Sequence, residues 1–174
     1  MKNKVLLLLI ILCTSCNNYS TMSEMKKMVL NNSSILENTC NKFLADSSIR
    51  SISIYKCYDS VLCESINSWS RCDKGWETWN KEREEQVTLP TKAAVLKFEH
   101  IAPEDYNYFK RFLKERNLTS IGRVYNCKNC VDLESSLAGV RYSINPQYVL
   151  REDYEYLTVD RVNPHWFVYY RDWN

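Results

Sequence analysis

Glycine is scarce in this chain. Gly75, Gly122 and Gly139 are the three in 174 residues, far below the roughly 7% of average proteins. Neither G-x-G-x-x-G nor G-x-x-x-x-G-K can be written, so a glycine-rich phosphate loop is excluded. Histidine is scarcer still, with only His100 and His165, and neither H-E-x-x-H nor G-x-S-x-G occurs. No segment alternates oxygen ligands in the manner of D-x-D-x-D-G, so Glu104-Asp105 and Glu152-Asp153 do not make a calcium loop. No cofactor or metal is called for. No apolar run reaches the ~20 residues a membrane span needs. There is no internal repeat or low-complexity tract.

What is present begins with an export signal. Lys2 and Lys4 precede an unbroken apolar run, Val5 to Leu12, followed by Thr14, Ser15 and Cys16. This is the charged, apolar and small-residue order of a secretory segment. Leu12-Cys13-Thr14-Ser15-Cys16 resembles the lipobox of bacterial lipoproteins, with Cys13 where leucine usually stands. The resemblance covers residues 1–16 only. It implies that Cys16 receives diacylglycerol and becomes the new N-terminus. Asn17 is not acidic, which in the enterobacterial version of that family points to the outer membrane or cell surface rather than the inner membrane. The alternative is a plain signal peptide cleaved after Ser15, giving a secreted protein.

Without Lys2 and Lys4 the chain carries 21 Lys+Arg against 21 Asp+Glu. A balanced charge gives no long-range pull toward nucleic acid or anionic lipid.

The expected organisation is a signal peptide over 1–15, a tether over 16–22 and one globular domain over 23–174. Apolar residues from Met25 to Leu44 recur at helical spacing and predict a helix over 23–45, weakened at Asn31-Asn32-Ser33-Ser34. Ser51 to Cys57 alternates like a half-buried strand. Residues 59–70 predict a short helix, 71–86 an exposed charged loop or short helix, and 91–101 a strand. Pro103, Glu104, Asp105 and Asn117 frame a helix whose buried face is Tyr106, Phe109, Phe112 and Leu113. Strands follow at about 119–127, 130–143, 153–160 and 165–173, the last pair broken by Asn163-Pro164. The expected fold is α+β: an antiparallel sheet of about five strands with two helices packed on one face.

Eight cysteines are present, and six remain besides Cys13 and Cys16. An exported compartment is oxidising, so Cys40, Cys57, Cys63, Cys72, Cys127 and Cys130 read first as disulfides of undetermined pairing. Cys127-Lys-Asn-Cys130 admits three readings. It can be a redox-active pair, a zinc site shared with Cys57, Cys63 or Cys72, or a staple across a hairpin. The hairpin reading makes Lys128-Asn129 a two-residue turn. Cys127 then faces Cys130, Val124 faces Leu133 and Arg123 faces Glu134.

His165 is placed opposite Asp160 across the final turn, which would allow a small hydrolase with Cys40 or a serine as nucleophile. The aromatic C-terminus pairs Tyr156 with Tyr169 and Val159 with Trp166. It reads either as a packed hairpin or as a contact surface for a protein or glycan. The working expectation is a non-enzymatic, lipid-anchored binding or interaction protein of the cell envelope. The alternatives are an envelope thiol–disulfide protein using Cys127 and Cys130, and a small envelope hydrolase around His165.

Overall fold

The computed structural model describes residues 21–56, 62–152 and 156–171. Nearly all of the export segment and tether, including Cys16, lies outside the described residues, as does Cys57. Three helices are present among them: α1 (Met22–Ala45), α2 (Lys92–Phe98) and α3 (Pro103–Glu115). Ten strands are β1 (Ser51–Lys56), β2 (Leu62–Ile66), β3 (Trp69–Cys72), β4 (Gly75–Asn80), β5 (Glu85–Leu89), β6 (Ser120–Val124), β7 (Cys127–Ser135), β8 (Ala138–Ser143), β9 (Tyr156–Asn163) and β10 (Trp166–Arg171).

They form one sheet in the order β5-β4-β3-β2-β1-β6-β7-β8-β10-β9. Every pairing is antiparallel. The expectation of about five strands and two helices is therefore wrong. Four unexpected strands, β2–β5, come from residues 62–89, and 130–143 supplies parts of two. The apolar residues of 59–70 sit at helix-like intervals, but Asn67 adopts a left-handed φ of 54° and folds the segment into the β2–β3 hairpin. Residues 71–86 read as a charged loop because their strands approach the sheet edge, where polar side chains face water. Trp76 is nonetheless buried, whereas Trp79 is exposed. Residues 91–101 form helix α2. The three-residue interval of Val95 and Phe98 is helical, and the Thr91 hydroxyl accepts from the Ala94 amide at 3.2 Å as a cap.

The two long helices form where the sequence places them. At the start of α1, Thr21 Oγ1 accepts from the Glu24 amide at 3.3 Å while Glu24 Oε2 accepts from the Thr21 amide at 2.7 Å. These bonds satisfy orphan donors at the helix start. The weak stretch appears as a kink at Asn32, with φ −137° and ψ 19°. Arg116, just past α3, donates to Asn32 Oδ1 at 2.7 Å and fixes the kink against its neighbour. Helix α3 buries Tyr106, Phe109, Phe112 and Leu113, and Asn117 leaves it with φ 54°.

All helices cover one face. Helix α1 lies over β7–β10, α3 over β1 and β6, and α2 over β4 and β5. The inner row runs Ile52, Ile121, Leu133, Val140 and Val168 across successive strands. Each of these side chains is buried, which gives one continuous core between the sheet and its helices. The predicted strand 130–143 is two strands, because Ser136 takes φ 57° and turns the chain.

The β6–β7 register differs from the expected one. Ile121 pairs with Leu133, Arg123 with Val131 and Val124 with Cys127. The turn is Tyr125-Asn126, not Lys128-Asn129, and a bulge follows in β7. This shift places Arg123 on the inner face. There Nη2 donates to the carbonyls of Phe43 (2.9 Å), Leu44 (3.1 Å) and Asp46 (2.9 Å), and Nε donates to that of Ile49 (2.9 Å). The Phe43 and Leu44 carbonyls lie in the last turn of α1, where no helical amide follows to bond them, and the guanidinium supplies the donor.

Candidate functional site

The outer face of the sheet carries charge where the inner face carries hydrocarbon. Two of its rows are set by register: Gly122, Asp132, Arg141 and Phe167, then Ser120, Glu134, Gly139 and Tyr169. Asp132 and Glu134 alternate with Val131 and Leu133 along β7, so the strand period of two sends the acids outward and the aliphatics inward. Arg141 stands directly opposite Asp132.

Arg141 grips Asp132 with both ends of its fork, Nε to Oδ1 and Nη2 to Oδ2, each at 2.7 Å. It also donates to Tyr148 Oη at 2.9 Å and Tyr156 Oη at 2.5 Å. Arg171 pairs with Glu134 Oε1 at 2.8 Å and reaches Asp132 Oδ2 at 3.6 Å. Ser120 Oγ and Tyr169 Oη both donate to Glu134, at 2.9 and 3.1 Å. Both guanidinia lie over the Tyr156 ring, at 4.9 and 5.0 Å from its centroid. Such stacking suits the planar, weakly hydrated arginine head.

Gly139 makes this packing feasible. A Cβ there would sit 2.5 Å from the Tyr169 ring, so the absence of a side chain lets the ring lie on the strand and bring its hydroxyl to Glu134. Over this face fold residues 144–152, which follow β8. Leu150, Tyr156, Phe167 and Tyr169 form a second, smaller core beneath them.

The network borders an open concavity of about 540 Å³, within the range of ligand sites. Its floor includes Ser51, Ser53, Ser120, Asp132 and Glu134, and its walls include Tyr148, Leu150 and Tyr156. Tyr125, at the tip of the β6–β7 turn, stands at the rim and is 98% exposed.

Burial pushes the Glu134 carboxyl above its ordinary 4.5, and Asp132 pushes the same way, while Arg171 and the Ser120 and Tyr169 hydroxyls oppose. An acid whose folded pKa is raised adds stability below its unfolded pKa and loses it as pH rises through the folded value. The unfolding free energy of wild type minus that of Glu134→Gln should therefore fall as pH climbs from about 4.3 toward neutrality. Urea titrations at a series of pH values measure it. A difference that rises with pH would mean that the Arg171 ion pair outweighs burial.

Cys127 and Cys130 form a disulfide with Cα atoms 5.3 Å apart. It spans the bulge at the start of β7 rather than the end of a hairpin, and neither cysteine stands at a helix start. Cys63 is disulfide-bonded. Cys40 and Cys72 are free thiols. Cys40 is buried in the face of α1 that packs on the sheet, and burial pushes its thiol pKa well up. Cys72 lies in β3 and donates to the Gly75 carbonyl at 3.4 Å. Among the described residues no cluster of three or more His, Cys, Asp or Glu side chains is placed to hold a metal ion.

His165 and Asp160 do not meet. His165 Nδ1 is 2.9 Å from the Ser143 carbonyl, and Asp160 pairs with Lys26 at 2.6 Å. The cause is again register: Asp160 pairs with Val168, Val159 with Tyr169, and Tyr156 with Arg171. Tyr156 and Tyr169 still share a face, packed edge to face at 5.1 Å.

Sequence reasoning missed Asp132, Glu134, Arg141 and Arg171. The signal was the alternation of acids with aliphatics over 131–134, but its partners depend on two strand registers.

No protein-family model, curated protein or solved structure matches the chain.

Proposed function

We propose that this chain is a binding module of the cell envelope, held at a membrane by lipid on Cys16, which takes a protein or glycan ligand in the outer-face concavity. The observation that supports it is the concavity itself. Its ion network is cross-braced by tyrosines, so the floor is preorganised and little ordering entropy is lost on binding. Asp132 and Glu134 are neutralised by Arg141 and Arg171, while Arg123 and Arg151 also line the concavity, so polar groups would be recognised by position with a remaining positive bias. Serine hydroxyls and tyrosine faces are the groups that contact sugar rings and extended peptides. No helix of the described residues is long and apolar enough to cross a membrane; the anchor in this reading is the lipid proposed on Cys16.

Two measurements test it. Cells fed a clickable fatty acid should label the wild type and not Cys16→Ser; equal absence of label ends the lipid reading. For the ligand, the purified chain is screened against immobilised oligosaccharides and extended peptides. Tyr125→Ala removes an exposed rim side chain without touching the core. It should weaken retained binding by about tenfold, the scale of a contact worth 1–2 kcal/mol, at unchanged melting temperature. Binding that is indifferent to Tyr125→Ala and to Arg151→Glu, a second lining position, would rule out the concavity as the ligand site.

A further inference from the structure

A second concavity, of about 480 Å³, opens on the helix-covered side near the other end of the sheet. It is lined by Glu64 of β2, Arg71 and Cys72 of β3, Gly75 and Trp76 of β4, and Lys92 at the start of α2. Asp73, Lys74, Pro90 and Thr91 complete its mouth. Gly75 lets the mouth close. Its φ is +133° and a Cβ would lie 2.4 Å from the Leu89 carbonyl oxygen, so only glycine permits the β3–β4 turn to lie against the entry to α2. Trp76, which pairs with Arg71 in register, is buried behind the cations.

The charges here are not balanced. Glu64 is buried and already ion-paired with Lys110 of α3. Arg71 and Lys92 line the same space, and among the described residues neither is in an ion pair. Lys92 Nζ instead stands 4.9 Å from the centroid of the Tyr106 ring, over which Lys110 also lies, at 5.8 Å. With Lys74 at the mouth, three cations line the space against the two carboxylates of Glu64 and Asp73. Burial holds Lys92 below its ordinary pKa, and Lys110, Arg71 and Lys114 act in the same direction, against Glu64. A half-buried ammonium among like charges, with one carboxylate already committed, is an electrostatic cost. An anion seated between the cations would remove it.

We propose that this concavity binds an oxyanion of the phosphate class between Arg71 and Lys92, with Lys74 at its mouth as the third positive charge. A guanidinium engages two oxygens with its fork and an ammonium acts as a point charge. A tetrahedral anion with several charged oxygens uses all three groups, which a single carboxylate does not. Glu64 sets the affinity: it holds Lys110 and repels the incoming anion. This site is separate from the outer-face concavity and does not depend on what that one binds.

The test uses the full chain and two probes, with all proteins carrying Cys16→Ser so that no N-terminal lipid contributes. Inorganic phosphate is titrated calorimetrically at low ionic strength. In parallel, sedimentation is measured with vesicles of phosphatidylglycerol and of phosphatidylcholine. Saturable binding is expected in at least one arm, weakened tenfold or more by Arg71→Gln and by Lys92→Gln. Glu64→Gln should tighten it several-fold, a sign that loss of a structural ion pair would not give. Arg71 is exposed, so Arg71→Gln decides the matter even where Glu64→Gln folds poorly. Arg71-dependent binding to phosphatidylglycerol vesicles alone assigns the anion to a lipid headgroup. Arg71-dependent binding of phosphate alone assigns it to a free anion. Absence of binding in both arms, or binding that Arg71→Gln leaves unchanged, overturns the proposal.

Discussion

Asp132→Ala is expected to lower folding stability by about 3–5 kcal/mol, the cost of leaving a buried charge without its partner. The Arg141 side chain is 3% exposed, and both of its bonds along the fork end on Asp132. Its two remaining contacts are neutral tyrosine hydroxyls, which cannot replace a carboxylate. Arg171 also loses its more distant contact with Asp132. For a chain of this size the loss corresponds to a fall in Tm of roughly 6–20 °C. Chemical unfolding followed by fluorescence checks it. Replacing the pair together, Asp132→Leu with Arg141→Met, should recover much of the loss, since no uncompensated charge then remains. A single-variant cost below about 1 kcal/mol would show that water reaches Arg141 freely.

Phe109→Ala should cost a similar amount, about 3–5 kcal/mol, for a different reason. Phe109 is fully buried and stands edge to face with Phe43 of α1, ring centroids 5.2 Å apart. Tyr108 packs against it at the same spacing. The ring therefore joins α3 to α1 above the sheet. Truncation removes the transfer free energy of a phenyl group and leaves a cavity that two helices and a sheet cannot collapse to fill. The denaturant midpoint should drop while the dependence on denaturant stays constant. An unchanged midpoint would mean that the helices do not pack through this contact. The two substitutions probe opposite faces of one sheet. Their effects should add to within about half a kcal/mol, because they share no partner.

The sequence by itself determined the elements whose evidence is local. Helix α1, with its weak point at Asn32, follows from apolar spacing and from the poor helix formers beside it. Helix α3 follows from Pro103, the acids of its first turn and the 106-109-113 stripe. The alternation of Ile52 and Ile54 placed β1. Spacing of two intervening residues brought Cys127 and Cys130 within bonding reach, though not on the turn expected for them. Where a segment's local pattern was ambiguous, the sequence misled. Residues 59–70, read as a short helix, and 71–86, read as a charged loop or short helix, supply strands, while 91–101, read as a strand, holds helix α2; short apolar runs fit both periods, and strands near an edge need little hydrocarbon.

Tertiary structure alone decided the registers, and through them both concavities. A shift of three residues in β6–β7 took Arg123 from Glu134 to the end of α1 and left Glu134 to Arg171. A similar shift in β9–β10 parted His165 from Asp160. Glu64, Arg71, Lys92 and Lys110 come from four elements that meet only when the sheet and helices close. A side chain's face is a local property with a period of two or 3.6, and it can be read along the chain. Its partner across a strand is a non-local property, fixed by whichever register buries the whole inner row at once.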